Sequence, residues 1–357
     1  MNACPPRLRP ARLEDYDEIA RLGLVHELDV PAYEDWSALW LDNPLRMRFG
    51  EDLPIGWVLD LPDGEIVGTM GTVRSRYTFR GEDLVAAASR AWFVIAPYRG
   101  FALQLMDEYM NQSGVDVFIN NAVSVPALDT FSRFCERIPL GQWNNMSYWV
   151  TAHSPSTADC SKDAVAHEPL PKSSASIEST DRFDSRFDTF WGELVRENPT
   201  KLIAERTAQA LTWHFGSPLR KGRLWIFTAA RQGKLRAYCT MTRQDHAFRL
   251  PALPHGDTQG LRGMRLVDYQ SIESEVDFLP AFLDAALERC AAEELYILES
   301  LGRGVPKMRV VDECAPYRKN LENWKFFYRA AEPTLHAALS DSTRWDPSSY
   351  DGDASLE

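Results

Sequence analysis

An apolar run from Val85 to Ala96 stops at Pro97, turns through Arg99-Gly100 and gives way to helical spacing at Phe101, Leu103, Leu105, Met106 and Tyr109. A strand that feeds a helix through a glycine-containing turn aims the helix's first N–H groups past the strand end, where an anion is the natural guest. The chemistry this offers is phosphate binding, with Tyr98, Arg99, Gly100, Phe101 and Ala102 around the guest. The plainer alternative is a surface turn with Arg99 in a salt bridge. Asp268 stands out in a different way, as a carboxylate inside the apolar pattern Arg265-Leu266-Val267-Asp268-Tyr269. Once buried it needs a partner or takes a raised pKa, which makes it a candidate catalytic group or a structural hydrogen-bonding one. Glu299 ends the following strand and could face the same cleft, whereas His214 beside Trp213 reads as a packed core histidine.

Other chemistries lack their residues. The chain has no G-x-S-x-G, no H-E-x-x-H, no Walker loop and no metal-ligand spacing. Its six cysteines are scattered without a C-x-x-C pair, as expected of reduced thiols in a cytoplasmic protein with no metal. The formal charge of -12 carries no compensating basic run, which argues against a nucleic-acid or anionic-membrane partner. No apolar stretch reaches the roughly 20 residues of a membrane-spanning helix, and the first residues lack the apolar core of a signal peptide.

The elements that would position these residues follow in order. Leu8 to Ala11 reads as a short strand and the residues from Leu13 as a helix. His26 to Pro44 reads as a second, acidic and aromatic helix. PIGWVLDL and EIVGTMGTVRSRYTF form a hairpin through Pro62-Asp63-Gly64. After the central strand and its helix come a strand at Val115–Ile119, a helix over Val125–Arg137 and a closing strand from Met146 to Thr151. Residues 152–182 are rich in Ser, Ala, Pro and Asp, and read as a linker.

The second half parallels the first. Trp225-Ile226-Phe227 leads to Gly233 as Trp57-Val58-Leu59 leads to Gly64, and Leu295–Leu298 precedes Val305-Pro306 as Val117–Ile119 precedes Val125-Pro126. This pattern implies a diverged duplication, with domains at 1–151 and 183–339. The acidic tail, 340–357, is either disordered or folded back over a cleft through Trp345 and Tyr350.

Ala96-Pro97-Tyr98-Arg99-Gly100 and the helix after it resemble the acyl-CoA loop of GNAT-superfamily N-acyltransferases, whose usual pattern is P-x-Y-R-G-x-G-x-G. One residue is missing after Pro97, and Ala102 and Gln104 replace the two later glycines. The order of elements is also similar to that family's, so the resemblance implies an α/β protein of two tandem GNAT-like mixed sheets. It further implies acyl-CoA, acetyl-CoA above all, as co-substrate, and a small amine such as an amino sugar or amino acid as acceptor. By position, Phe93, Val94 and Ile95 would pair with the pantetheine arm and support the thioester oxygen. The segment His26, Glu27 and Asp29, which roofs the acceptor site in the family, supplies candidate bases beside Asp268.

Aligning the family's N-x(n)-A-x-x-x-Y pattern on Asn121 and Ala127 puts Phe131 where many members carry a tyrosine acid. The acid is then Cys135, Ser124, Tyr98 or water, or this copy does not catalyse. The second copy has Ile272-Glu273-Ser274-Glu275 in place of the turn, and those carboxylates would repel a pyrophosphate. Tandem GNAT proteins, mycothiol synthase-like ones among them, commonly show one competent and one degenerate copy. The alternative from another class is a non-catalytic binding or scaffold protein on the same frame.

Overall fold

The structure, a computed structural model, describes residues 5–26, 28, 30–46, 53–141, 143–150, 176–244, 262–272, 278–295, 297–302, 306–308, 311, 315, 317–322 and 324–356. In the first half the chain forms β1 (Arg7–Pro10), α1 (Tyr16–Val25), α2 (Tyr33–Leu41), β2 (Gly56–Asp60), β3 (Ile66–Phe79) and β4 (Glu82–Val94). A 3-10 turn (Ala96–Phe101) leads into α3 (Ala102–Met110), followed by β5 (Val117–Asn120), α4 (Leu128–Phe134) and β6 (Glu136–Arg137). β7 (Asn145–Val150) ends the first half, and the second holds β8 (Ile177–Thr180), α5 (Arg186–Glu197), β9 (Ile203–Ala204), α6 (Ala208–His214) and α7 (Gly216–Arg220). Then come β10 (Leu224–Arg231), β11 (Lys234–Gln244), β12 (Gly263–Ser271), α8 (Leu279–Ala292), β13 (Ile297–Leu301), β14 (Tyr317–Asn320), β15 (Phe327–Ala330) and α9 (Pro333–Leu339).

The strands make two mixed sheets, β1-β2-β3-β4-β5-β15-β6 and β14-β7-β13-β12-β11-β10-β8, with β9 paired to β3. Their plans match. In each, an antiparallel run (β2-β3-β4 or β10-β11-β12) meets a parallel strand (β5 or β13), which pairs on its other side with an antiparallel one (β15 or β7) followed by a short edge strand (β6 or β14). Gly64 and Gly233, equivalent in the repeat, both turn their hairpins at positive φ, +90° and +74°, where a side chain would be strained. The duplication legible in the sequence is thus present in the topology.

Strand pairing departs from the sequence reading in one respect. The strand expected to close the first sheet, Met146 to Thr151, pairs instead with β13 and β14 in the second. In the first sheet the place beside β5 is taken by β15, whose Phe327 lies opposite Asn120, with the short β6 beyond it. Each half therefore lends its last strand to the other, and a boundary at 151 does not separate the sheets. The final residues of the expected linker form β8, paired with β10; residues 151–175 lie outside the described residues.

Packing explains the arrangement. α3 lays Leu105, Met106 and Tyr109 on one face of the first sheet, while α1 and α2 cover the other with Ile19, Leu22, Trp36 and Trp40. A third cluster draws on both sheets, joining Tyr77 and Phe79 to Ile226, Tyr238 and Val267 through Phe187, Phe190, Trp345 and Tyr350. The tail is folded rather than disordered. Trp345 and Tyr350 are buried within that shared core, and the Trp345 indole N–H donates to Leu339 O at 2.7 Å.

Beneath the tail, Arg206 and Asp268 are both 0% exposed. Arg206 donates Nε and Nη2 to the two carboxylate oxygens at 2.8 and 3.1 Å, and the Tyr238 and Ser348 hydroxyls donate to the same group at 2.5 and 2.7 Å. Burial opposes the charge on Asp268, but the adjacent guanidinium outweighs it and holds the carboxyl down at about 2. Removing one partner of such a pair strands a buried charge. Arg206→Met should lower the unfolding free energy by about 3–5 kcal/mol in urea titration, and Arg206→Met/Asp268→Leu should recover most of the loss.

Candidate functional site

The opening in the first sheet originates in β4 and β5. These parallel strands pair at Ala86–Val117 and Ala87–Phe118 and then separate. Asn120 holds the last bridge across, its Oδ1 accepting the Ser89 N–H at 2.8 Å and the Tyr109 hydroxyl at 3.2 Å. Beyond it β4 bulges. Its register against β3 shifts between Thr69 and Gly71, and Ala91 takes a left-handed φ of +53°. A non-glycine residue in that region is held there by its surroundings, and such bulges re-aim a strand's backbone.

Ile95 N–H donates back to Val67 O at 3.0 Å, so by strand alternation the Val94 N–H faces away from β3 and into the gap. Of Phe93, Val94 and Ile95, Val94 is therefore the residue with a backbone donor on that side. Phe93 sends its ring toward α1, stacked on His26 at 5.2 Å, while Trp92 turns toward α4 and meets Phe131 edge-on at 5.9 Å.

The phosphate turn lies at the end of β4. Arg99 and Gly100 are exposed, Tyr98, Phe101 and Ala102 are half-buried, and Gln104 points to solvent from α3. Apart from its own neighbours along the chain, no atom lies within 4 Å of the place a Gly100 Cβ would occupy, so the backbone there presents a bare surface. Arg99 makes no ion pair among the described residues.

The catalytic candidates named from sequence are not brought together. Asp268 is sealed in the Arg206 network in the second half, at the place where β12 runs on past its pairing with β13. With its oxygens saturated and its proton affinity low, it is a structural carboxylate rather than a base. Glu299 likewise pairs with Arg265. Cys135 is buried under α4, and burial pushes its thiol up to about 12, too weak an acid to serve a thiolate leaving group. Glu27 and Asp29 lie outside the described residues. His26 is placed against the splayed strand, and its Nε2 has no hydrogen-bond partner among the described residues. His214 is a core histidine, bonded to Ser355 Oγ at 2.7 Å and pushed down to about 3 by burial.

Sequence reasoning missed the carboxylate that the tail delivers. Asn121, just past β5, accepts the Asp353 and Ala354 N–H groups on its Oδ1 at 2.9 and 2.8 Å and donates Nδ2 to Asp351 O. Gly352 between them has φ +82°, and a Cβ there would stand 2.8 Å from Asn121 Oδ1. In return Asp353 Oδ1 accepts the Asn121 and Ala122 N–H groups at 2.8 and 3.1 Å. Farther on, Arg90 of β4 donates to Leu356 O. The tail thus runs across the mouth of the gap from the β5 side to the β4 side. Asp353 and Leu356 form part of the wall of a cavity of about 480 Å³ between the halves, together with Phe93, Arg90, Trp36 and Arg243. Burial raises the Asp353 carboxyl to about 6, against the backbone donors and Arg90, which favour its ionised form.

No family model matches the chain, and no curated protein matches it. Solved structures do. A conserved protein of unknown function from Enterococcus faecalis, described as a probable N-acyltransferase, is similar at 13% identity and TM-score 0.55, over 92% of this chain and 73% of that one. A GCN5-related N-acetyltransferase from Anabaena variabilis is similar at 10% identity and TM-score 0.53, over 91% and 73%. The N-myristoyltransferase of Saccharomyces cerevisiae, solved with bound myristoyl-CoA and inhibitors, is similar at 11% identity and TM-score 0.55, over 92% and 82%. The chain has the α/β fold of these proteins, with two GNAT-type mixed sheets in tandem. No helix among the described residues is long and apolar enough to cross a membrane.

If Asn121 is what fastens the tail, Asn121→Ala should raise amide hydrogen exchange over residues 351–356 roughly tenfold or more. Amides of β3 and β4 should keep their protection in the same experiment.

Proposed function

We propose that the chain is an acyl-CoA-dependent N-acyltransferase acting on a small amine, with acetyl-CoA as the simplest donor. The observation that carries this reading is the gap between β4 and β5, with the Arg99 turn at one end and a carboxylate-bearing cavity at its mouth. Fold likeness supplies the frame but not the reaction.

The residues divide the work as follows. Arg99 and the bare backbone at Gly100 would receive the pyrophosphate at the start of α3. The pantetheine arm would lie along β4 where β5 has left it, and the Val94 N–H would support the thioester oxygen as charge develops there. Asp353, ionised at neutral pH yet with a raised pKa, would take a proton from the acceptor's ammonium. The freed amine attacks the thioester carbon and the C–S bond breaks. The proton that the nitrogen sheds on collapse leaves with the thiolate as free thiol. Cys135 takes no part. A thiolate near the ordinary thiol pKa of about 8.5 is a competent leaving group without a strong side-chain acid, which accommodates Phe131.

One observation favours the non-catalytic reading. Phe131 and Trp92 fill the α4 side of the gap with packed rings where a hydroxyl would serve the leaving group.

CoA and acetyl-CoA should raise the melting temperature saturably by several degrees, and Arg99→Ala should weaken the half-maximal concentration about tenfold; no shift at millimolar ligand would favour a scaffold. For turnover, kcat/KM should rise about tenfold per pH unit below about 6, as Asp353 loses its proton, and level above it. Asp353→Asn should lower kcat/KM about 100-fold or more and abolish that limb of the profile.

A further inference from the structure

The cavity at the mouth of the gap sets an apolar wall against one open carboxylate oxygen. The first half contributes Tyr16, Ile19, Val30, Trp36 and Phe93. The Tyr16 hydroxyl is occupied, donating to Pro31 O at 2.8 Å, and its ring packs 5.3 Å from that of Trp36. Phe93 turns its ring to the same side, where it stacks on His26. Asp353, also in the lining, accepts the Asn121 and Ala122 N–H groups on Oδ1, whereas its Oδ2 has no hydrogen-bond partner in any other described residue. Four cationic residues border the cavity too, but each is engaged within the chain. Lys221 sits 2.8 Å from Asp35, Arg90 donates to Leu356 O, and Arg223 and Arg243 have interactions of their own. What the cavity leaves unanswered is one carboxylate oxygen beside aromatic and aliphatic surface.

We infer that, within the acyltransfer reading above, the acceptor is an amine with a single positive charge and an aromatic or aliphatic body, rather than an amino acid or an amino sugar. The ammonium meets Asp353 Oδ2 and the body lies on Trp36 and Phe93, whose ring faces also attract a cation. A carboxylate on the acceptor would give up its hydration and find every lining cation already held. The hydroxyls of an amino sugar would lose water against the apolar wall without gaining hydrogen bonds. A volume of about 480 Å³ is that of a small-molecule site.

The test is calorimetric titration of the full chain at neutral pH with phenethylamine, phenethyl alcohol, L-phenylalanine and glucosamine. The alcohol isolates the charge, L-phenylalanine the added carboxylate and glucosamine the apolar body. Phenethylamine is expected to bind about tenfold or more tightly than each of the other three. Asp353→Asn should weaken phenethylamine about tenfold and leave the alcohol unchanged. Any of the three binding as tightly as phenethylamine, or no binding of the amine, would overturn the inference; the wild-type comparison decides this even if the variant misfolds. Acyl transfer from acetyl-CoA to the same panel separates the two levels. Amine binding without turnover would remove the enzyme reading and leave the ligand class standing, whereas transfer to glucosamine or L-phenylalanine in preference would keep the enzyme reading and remove this inference.

Discussion

Everything around the candidate site depends on two parallel strands that pair at only two positions before they part. A buried strand edge must find partners for its N–H and C=O groups. Here Asn120 satisfies Ser89 with a side chain at the point of separation, and Asn121 next to it holds the returning tail. Adjacent asparagines therefore do two jobs, one fixing how far the sheet opens and the other what stands at the opening. The bulge at Ala91 and the turn at Ala96–Phe101 then set which backbone groups face the gap.

The same geometry recurs in the second sheet with the opposite outcome. β12 also outruns its parallel partner, β13, but Asp268 lies in the extension and is locked by Arg206, Tyr238 and Ser348. A buried ion pair of that kind is costly to break and has no spare hydrogen-bonding capacity for a ligand. The chain has filled one opening with its own residues and kept the other beside a cavity. Tyr350 links the two, bonding Glu205 O and stacking on His214 while the residues after it run to Asn121. Exchange of β7 and β15 between the sheets binds the halves further.

Much of the frame was legible because local signals suffice for it. The apolar central strand, its Pro97 stop, the Arg99-Gly100 turn and the two hairpin glycines each act over a few residues. Pairing partners were not legible. Nothing in Asn145–Val150 distinguishes an edge on the first sheet from one on the second, since both offer an apolar strand the same kind of neighbour. Asp268 drew attention for a sound reason, a carboxylate in an apolar run, but its partner Arg206 lies 62 residues away and decides its role. Asp353 escaped notice for the converse reason. In an acidic tail it looks like any solvated carboxylate, and only a contact with Asn121, 232 residues distant, gives it a place.

If the β4–β5 gap receives a coenzyme thioester, a crystal structure of the chain with CoA will show it. Pyrophosphate density is expected at Arg99–Ala102, with a pantetheine chain running beside β4 toward Val94 and its sulfur on the side of the gap facing Asp353. Coenzyme density elsewhere, or an unchanged gap at saturating ligand, would contradict it.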